Sequence, residues 1–539
     1  MAYKHGTYGE RTASKAKSAA QVEEVVLYVG TAPVNLIRGY ASKGLINKPV
    51  KVMSLTDAYN KIGYSENWDD YSLNEVTDYH FNNTKHNIGP IYIINVLDPD
   101  THRKSAQTEK TVTFTAGKAS FDSTKIILDT VAIAGKVEGT DYTLSYDMAE
   151  GTVTIDSSKA ETPMTGDVTV AYYEIDVTAI TQADIIGAAG ADGTVTGLQA
   201  IKLLYRDYNA ICNLIAIPRY SKIPAVYKAM IQAAQKINGH WDAFVLADIP
   251  LAETTVTYSP VTTSGSENPQ EQGWYELVDD EYVLTTDVTI EAGKTYYEKE
   301  STTAGINTIE KAKQWQEENG YTSEISKVFW PQVKNADKIY HMSVVFAAET
   351  LYIDADNDAV PYVSASNHEI MATGQYFGEG VANPGFDDQE ANALNESGIT
   401  TIAYWEGAWK LWGGHTAAYK YNTVMDAAVI FDTNMRMLMF CTNGFQRRHG
   451  VEIDQPLTVA AKETIRISEQ QELDILKSIG ALIGEPTCEF REDENSVNDM
   501  LNGDFVWNIT VTVTPQLKSA TAKVTYTDEG FQALFGEEG

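Results

Sequence analysis

Apolar runs and helically spaced apolar residues alternate along the middle of the chain. Residues 25–29 and 91–96 are nearly continuous apolar runs, which are typical of strands buried on both faces. Residues 197–209 and the segment that starts at Pro224 instead place their apolar residues on one face of a helix. Each of these segments is followed by a further apolar run, at 211–217 and 243–247. This order of strand and helix predicts a mostly parallel sheet covered on both faces.

Two segments interrupt this alternation with short strand-like runs that are separated by turn residues. Residues 107–177 predict a small β-sandwich or barrel, and residues 251–300 predict a second, smaller β module. Both segments are acidic. Residues 107–178 contain 12 acidic and 5 basic residues, and residues 251–300 contain 11 and 2, which gives net charges of −7 and −9.

The last third of the chain predicts one long helix and two late strands. Ser468 and Gln471 have capping-box spacing, so a helix is expected over 469–483, with a stripe made by Leu473, Leu476, Ile479 and Leu482. Residues 505–513 alternate as a two-faced strand until Pro515. A second alternating stretch follows near the chain end, where it could pair within the chain or with another molecule. Residues 1–20 are polar and predict an extended arm.

The charge and cysteine content narrow the functional classes. The 539 residues include 41 Lys and Arg against 74 Asp and Glu, a formal charge of −33, which excludes a nucleic-acid binder that works by bulk charge. Cys212, Cys441 and Cys488 lie far apart without a CxxC motif, so we expect buried free thiols in a chain made under reducing conditions. No signal-peptide core and no apolar run of about 18 residues is evident. We therefore expect intracellular synthesis without membrane insertion.

Catalytic and metal motifs fail at identifiable residues. The segment 293–295 resembles the end of a phosphate loop, but Val288 stands where that loop needs glycine. His368 and Glu369 lack the second histidine of a zinc-protease helix. Asp354, Asp356 and Asp358 have calcium-loop spacing without the required glycine and glutamate, so a surface turn is expected. We therefore predict no catalytic residue, metal or cofactor.

One compact basic cluster, residues 447–449, has two interpretations. It is either a salt-bridged turn or a cationic contact to an acidic partner.

Several segments read together resemble the tail sheath proteins of contractile-tailed bacteriophages and phage-like bacteriocins. They are DADNDAVPY at 354–362, SASN at 364–367, LNESGI at 394–399 and GAWKLWGGHT at 407–416, together with YKHGTY at 3–8. The last of the long segments is similar to a glycine- and tryptophan-rich stretch of that family. Of the paired arginines common downstream of that stretch in the family, only Arg436 is present, and the 251–300 module looks like an optional addition.

The resemblance implies an α/β and α+β multidomain protein whose central α/β domain is subtilisin-like but lacks a catalytic triad. The expected parts are an N-terminal arm (1–20), the first part of the core (21–106), an inserted β-sandwich-like domain (107–177), a central α/β domain (178–400) interrupted by a small β insert (251–300), a C-terminal α+β domain (401–515) and a C-terminal strand arm (516–539).

The implied function is structural. Copies of the chain would polymerise into a helical contractile sleeve around a tail tube and drive that tube through the target cell envelope, with subunits linked by strand exchange. The implied partners are further copies, the tail tube protein, and baseplate and tail terminator proteins. The sleeve would be part of a virion tail or phage tail-like particle, assembled in the bacterial host cytoplasm.

Residues can be assigned to these contacts as hypotheses. The N-terminal arm would use Tyr3, Tyr8, Arg11 and Lys15, and the C-terminal strand would use Ala522, Val524 and Tyr526. The side chains that would face the tube are Arg447, Arg448, Leu473 and Lys477. The two acidic inserts would project outward.

Two alternatives come from other functional classes. An α/β hydrolase with β appendages acting on a surface polymer would fit the alternation of helix and strand. A secreted carbohydrate-binding adhesin would fit the β modules, although no signal peptide is evident.

Overall fold

The computed structural model describes residues 23–263, 267–278, 281–383 and 387–527, together with residues 530 and 534. The predicted N-terminal arm, with Tyr3, Tyr8, Arg11 and Lys15, lies outside the described residues.

The described strands have the following bounds: β1 (Glu23–Gly30), β2 (Pro49–Val52), β3 (Ile91–Asn95), β4 (Thr108–Phe114), β5 (Lys118–Asp122), β6 (Ala132–Ile133), β7 (Thr143–Asp147), β8 (Thr152–Asp156), β9 (Gly166–Tyr172), β10 (Ala210–Ala216), β11 (Phe244–Asp248), β12 (Ala252–Pro260), β13 (Tyr275–Val278), β14 (Glu281–Leu284), β15 (Tyr297–Gly305), β16 (Ser326–Phe329), β17 (Gln332–Asn335), β18 (Lys338–Tyr340), β19 (Gly374–Tyr376), β20 (Ile399–Trp405), β21 (Ala408–Trp412), β22 (Thr487–Glu489) and β23 (Asn508–Thr510).

The described α-helices have the following bounds: α1 (Tyr40–Lys43), α2 (Leu55–Lys61), α3 (Ser72–Phe81), α4 (Gln182–Ile186), α5 (Leu203–Tyr208), α6 (Pro224–Ala233), α7 (Pro269–Gln272), α8 (Ile309–Glu318), α9 (Met342–Asp356), α10 (Asp388–Asn395), α11 (Asp432–His449), α12 (Val459–Ser478) and α13 (Val497–Asn502).

A central eight-stranded sheet holds the core, in the order β2-β3-β1-β10-β11-β16-β20-β21. The six inner strands of this sheet, β3, β1, β10, β11, β16 and β20, are parallel to one another. The outermost strands β2 and β21 are antiparallel to their neighbours. Tyr28 and Phe244 pack into one apolar cluster with α3 and α9, while Leu27 and Val245 pack into another with α5, α6 and α8. The prediction of a mostly parallel sheet covered on both faces is confirmed.

The two inserted segments form separate small sheets. Residues 108–172 make two three-stranded antiparallel sheets, β4-β9-β6 and β5-β8-β7, which enclose one buried cluster that includes Phe121, Val153 and Val170. Residues 125–128 belong to neither sheet: Ile126 makes an isolated bridge, and Leu128 begins a short 3-10 turn. Residues 252–305 form one four-stranded antiparallel sheet, β12-β15-β13-β14.

The C-terminal region places α11 and α12 against the two-stranded sheet β22-β23. The predicted capping box at Ser468 is wrong, because α12 begins ten residues earlier than expected, at Val459, where Thr458 accepts a hydrogen bond from the Ala461 N–H. The predicted strand over 505–513 is present only as β23, and Val513 adds one isolated bridge to Leu482.

No described helix is both long and apolar enough to cross a membrane. Cys212, Cys441 and Cys488 are buried free thiols, as predicted, and burial raises the pKa of all three.

Candidate assembly surface in the C-terminal region

The sheet β22-β23 has only two paired strands within the described part of the chain. Thr487, Cys488 and Glu489 pair with Thr510, Ile509 and Asn508. Beneath them lies a small core that includes Leu473, Leu476, Leu482 and Cys488. A two-stranded sheet is marginal on its own. On the β22 side the Cys488 N–H donates to Gln470 Oε1 of α12 at 3.0 Å, so the edge of β23 is the one that could accept a further strand.

Exposed apolar side chains are concentrated in the same region. From residue 451 onward, each of the following large apolar side chains is at least 38% exposed: Val451, Ile453, Val459, Ile467, Ile475, Ile479, Ile483, Val497, Met500, Leu501, Val506, Leu517, Val524, Tyr526 and Leu534. Apolar exposure on this scale is typical of surfaces that become covered in an assembly.

The predicted C-terminal strand is not formed within this chain. Residues 515–527 have no helix or strand, and Ala522, Val524 and Tyr526 are all exposed, the last two at 92% and 81%. One physical reason is Pro515, which has no backbone N–H to extend a sheet beyond Thr514. The alternating side chains are therefore available to another molecule.

Just before this exposed stretch, the chain is held at the start of α11 by Gln516. Its side-chain N–H donates to Thr433 Oγ1 at 2.6 Å and to Asp432 Oδ1 at 3.4 Å. The contact requires glycine at 414, because a Cβ there would lie 2.2 Å from Gln516 Oε1. Lys518 Nζ then sits 5.7 Å from the ring centre of Tyr419. These contacts fix where the exposed segment leaves the body.

Asp432 is itself half of a buried ion pair. Lys327 Nζ, on the central strand β16, donates to Asp432 Oδ2 at 2.8 Å and to the His415 carbonyl at 2.9 Å. The side chains of Lys327 and Asp432 are 0% and 3% exposed. Burial lowers the pKa of Lys327, and Asp432 opposes that shift by stabilising its charge.

The basic cluster lies at the end of α11, not in a turn. Arg448 makes a two-pronged ion pair with the buried Glu469 of α12, and His449 Nε2 contacts the same carboxylate at 2.7 Å. Burial raises the pKa of Glu469, but the hydrogen bonds and charges of Arg448 and His449 outweigh it and hold that pKa below its usual value. The salt-bridged interpretation is confirmed for Arg448, which ties α11 to α12.

Of the four residues assigned to a tube contact, Leu473 needs correction, and Arg448 and Lys477 have partners within the chain. Leu473 is 2% exposed and belongs to the core under β22-β23, so it does not reach a surface. Arg448 is committed to Glu469. Lys477 is 40% exposed and contacts Glu485 at 2.9 Å. The exposed face of α12 instead carries Ile467, Gln471, Asp474, Ile475 and Ser478.

The predicted surface turn at Asp354 is also corrected. Asp354 lies in the last turn of helix α9, and its carboxylate forms an ion pair with Arg436 of α11. The side chains are 13% and 7% exposed, so this pair joins the central domain to the C-terminal helices.

A cleft of about 750 Å³ opens at the carboxyl ends of β10 and β11. Glu75 accepts hydrogen bonds there from the His341 backbone N–H and from its ring Nδ1, the latter at 2.8 Å. Asp248 accepts from the Ser343 backbone N–H at 3.0 Å and from the hydroxyls of Ser343 and Ser221. These hydroxyls contact the carboxylate, and no hydrogen bond from a hydroxyl to the His341 ring is seen among the described residues. This cleft is where the hydrolase alternative would place its active site. Among the described residues, it shows no hydroxyl bonded to a histidine base.

Groups of three or more metal-ligating side chains are absent from the described ranges.

No protein-family profile matches the chain. The chain is 24% identical to the tail sheath protein of Burkholderia phage BcepMu over 548 residues, which covers 96% of this chain and 98% of that protein. It is also 24% identical to the major tail sheath protein of Serratia phage KSP20 over 244 residues, covering 44% and 58% of the two chains. The resemblance to contractile tail sheath proteins is confirmed.

The fold has a parallel among solved structures. A chain in the cryo-EM structure of the anti-feeding prophage baseplate matches with a TM-score of 0.51 at 13% identity, covering 98% of this chain and 100% of that one. The multidomain mixed α/β architecture therefore agrees with the resemblance.

Sequence reasoning missed the residues that join the sheath-like body to its C-terminal segment. Lys327 directly precedes the apolar run 328–330, and a lysine beside a buried-strand pattern is a signal for a buried partner. The partner Asp432 is 105 residues away, and nothing in the local pattern identifies it. Gln516 directly follows the strand-breaking Pro515, where a polar linker was expected.

Proposed function

We propose that this protein is the subunit of a contractile tail sheath, which polymerises into a helical sleeve around a tail tube. The observation that carries the proposal is the resemblance to a phage tail sheath protein over almost the whole of both chains. The exposed apolar side chains of the C-terminal region support it, because a chain of charge −33 repels its own copies and needs specific contacts to assemble. Relatives described as sheath proteins support a structural role over an enzymatic one.

Subunits would be linked by strand exchange at the sheet β22-β23. The edge of β23 pairs with no further strand in the described chain, and the stretch that carries Ala522, Val524 and Tyr526 has no partner strand there. Backbone hydrogen bonds from a neighbour's terminal segment would complete the sheet without requiring side-chain complementarity. The arm at 1–20, with Tyr3, Tyr8, Arg11 and Lys15, would supply the other strand.

The exposed face of α12 would contact the tube. It carries Ile467 and Ile475, 43% and 54% exposed, next to Lys477. We retain Arg447 as a neighbouring contact. The acidic inserts would then lie on the outer wall, where like charges can separate.

Contraction would use energy stored when the sleeve is assembled. Flexible links between rigid bodies permit rings to rotate, and new contacts would make the contracted state lower in free energy. The central domain would be subtilisin-like in arrangement only, since fold alone does not bring activity. Tube, baseplate and tail terminator proteins would be its partners, with synthesis and assembly in the host cytoplasm.

Electron microscopy of the purified full chain tests this function. Tubes or stacked rings that enclose tail tube protein when the two are co-expressed are the expected result. A chain that stays monomeric at high concentration, with and without tube protein, contradicts the proposal.

A further inference from the structure

The sheet β12-β15-β13-β14 has two chemically different faces. Tyr275 pairs with Leu284 and Tyr297, Leu277 pairs with Tyr282, and Tyr258 pairs with Lys299. Because side chains directly opposite in a sheet share a face, this register places four tyrosines on one side, together with Leu277 and Leu284. We call this side the tyrosine face.

The tyrosine rings pack on one another, and this side of the sheet is only partly covered among the described residues. Tyr258 stacks on Tyr282 at 4.0 Å with an interplanar angle of 5°, and Tyr282 meets Tyr297 edge-on at 4.9 Å. Leu277 and Leu284 remain 46% and 52% exposed, as does Val256 at 40%. An antiparallel sheet with one apolar face normally buries that face against another layer.

The acidic side chains lie on the opposite face. Glu276, Glu298 and Glu253 each alternate with residues of the tyrosine face. Among the described residues of the four strands, this register places one charged side chain, Lys299, on the tyrosine face. Its Nζ lies 5.7 Å from the Tyr275 ring centre. The module carries −9, yet its apolar side presents a cation. Another copy, with a charge of −33, can approach that side without facing these carboxylates.

We propose that the tyrosine face is an interface with a second copy of this chain in the assembled sleeve. This inference rests on the proposed sheath function and adds a contact outside the C-terminal region. Burial of Leu277, Leu284 and the tyrosine rings would supply the attraction, while the opposite face already packs Trp274 and Tyr296 within the module. The module would thereby act as a clasp between neighbouring subunits.

The test compares two adjacent residues of β14 that point to opposite faces. Leu284→Ser removes an apolar side chain from the tyrosine face, and Val283→Ser removes one of similar exposure, 47%, from the acidic face. The critical concentration for sleeve assembly of the full chain is measured by light scattering and electron microscopy. We expect Leu284→Ser to raise it about tenfold and Val283→Ser to leave it unchanged.

A second measurement identifies what covers the face. Since the native thiols are buried, a benzophenone maleimide attached to a Leu284→Cys variant reports the neighbour of this position. Crosslinking to another copy within sleeves supports the inference. Crosslinking to tube protein alone, or a critical concentration for Leu284→Ser equal to that of wild type, overturns it. If wild type itself forms no sleeve, it is the proposed function that fails.

Discussion

The ion pair between Glu75 and His341 couples the stability of the central domain to pH. Their side chains are 3% and 16% exposed and lie beside Asp248 and Lys222 in the cleft. Burial lowers the pKa of His341, but attraction to Glu75 and Asp248 outweighs burial, so its pKa is raised. A histidine whose pKa is raised on folding stabilises the folded state. That contribution is complete at a pH below the unfolded pKa of about 6.5, and it is lost as the pH rises through the raised folded pKa.

We therefore expect the melting temperature of the unassembled chain to fall between about pH 6 and about pH 9, and to fall less in His341→Gln. Differential scanning calorimetry across that range measures both slopes. Burial also raises the pKa of Asp248, so this group too makes the melting temperature fall with rising pH, in the wild type and in His341→Gln alike. Equal slopes would show that the pair does not change its protonation on folding.

The buried pair of Lys327 and Asp432 gives a second prediction. Lys327→Met leaves a buried carboxylate without its cation, so we expect a loss of about 3–5 kcal/mol of stability. The double variant Lys327→Met/Asp432→Leu removes both charges and should recover most of that loss. Thermal unfolding of the two variants checks this. A double variant no more stable than the single one would show that packing, and not the unpaired charge, sets the cost.

At the scale of elements, α12 has one face packed in the core under β22-β23 and one exposed face. Ile475→Asp changes a side chain that is 54% exposed, so we expect the monomer to keep its melting temperature and to lose assembly around tube protein. Leu473→Asp places a charge in the core and should unfold the C-terminal region. Co-purification with tube protein and circular dichroism measure the two effects. Normal sleeves from Ile475→Asp would remove α12 from the tube interface.

The local sequence pattern was sufficient to predict β10, α6 and β11. The two strands are short apolar runs, and the helix begins at a proline and has helically spaced apolar residues. It failed for α12, because Ser468 and Gln471 imitate a cap while the true start at Thr458 precedes a less regular apolar pattern. Asp354 and Arg436 were missed as a pair because they are 82 residues apart and meet only through packing. The alternation around Val524 could be read from the sequence because alternation is a local property, and its role in assembly stays a prediction.

At the scale of the whole molecule, assembly should depend on segments that the folded body does not need. Deleting residues 1–20, or residues 516–539, should abolish sleeve formation and leave a monomer with an unchanged circular dichroism spectrum. Residues 517–527 are almost entirely outside the core, so their loss costs little stability. Deleting only 519–539 keeps Gln516 and Lys518 and should also prevent assembly. Normal sleeves from the terminal deletions would rule out strand exchange.

The hold on Gln516 determines where mechanical load enters the subunit. Tension on the segment after Gln516 would pass to Thr433 and Asp432, and from Asp432 to Lys327 in the middle of the eight-stranded sheet. Because Gln516 lies between the pulled segment and β23, its contacts would take up load before it reaches the small sheet β22-β23. A neighbour that pulls on this segment during contraction would thus move the rigid central domain as one body.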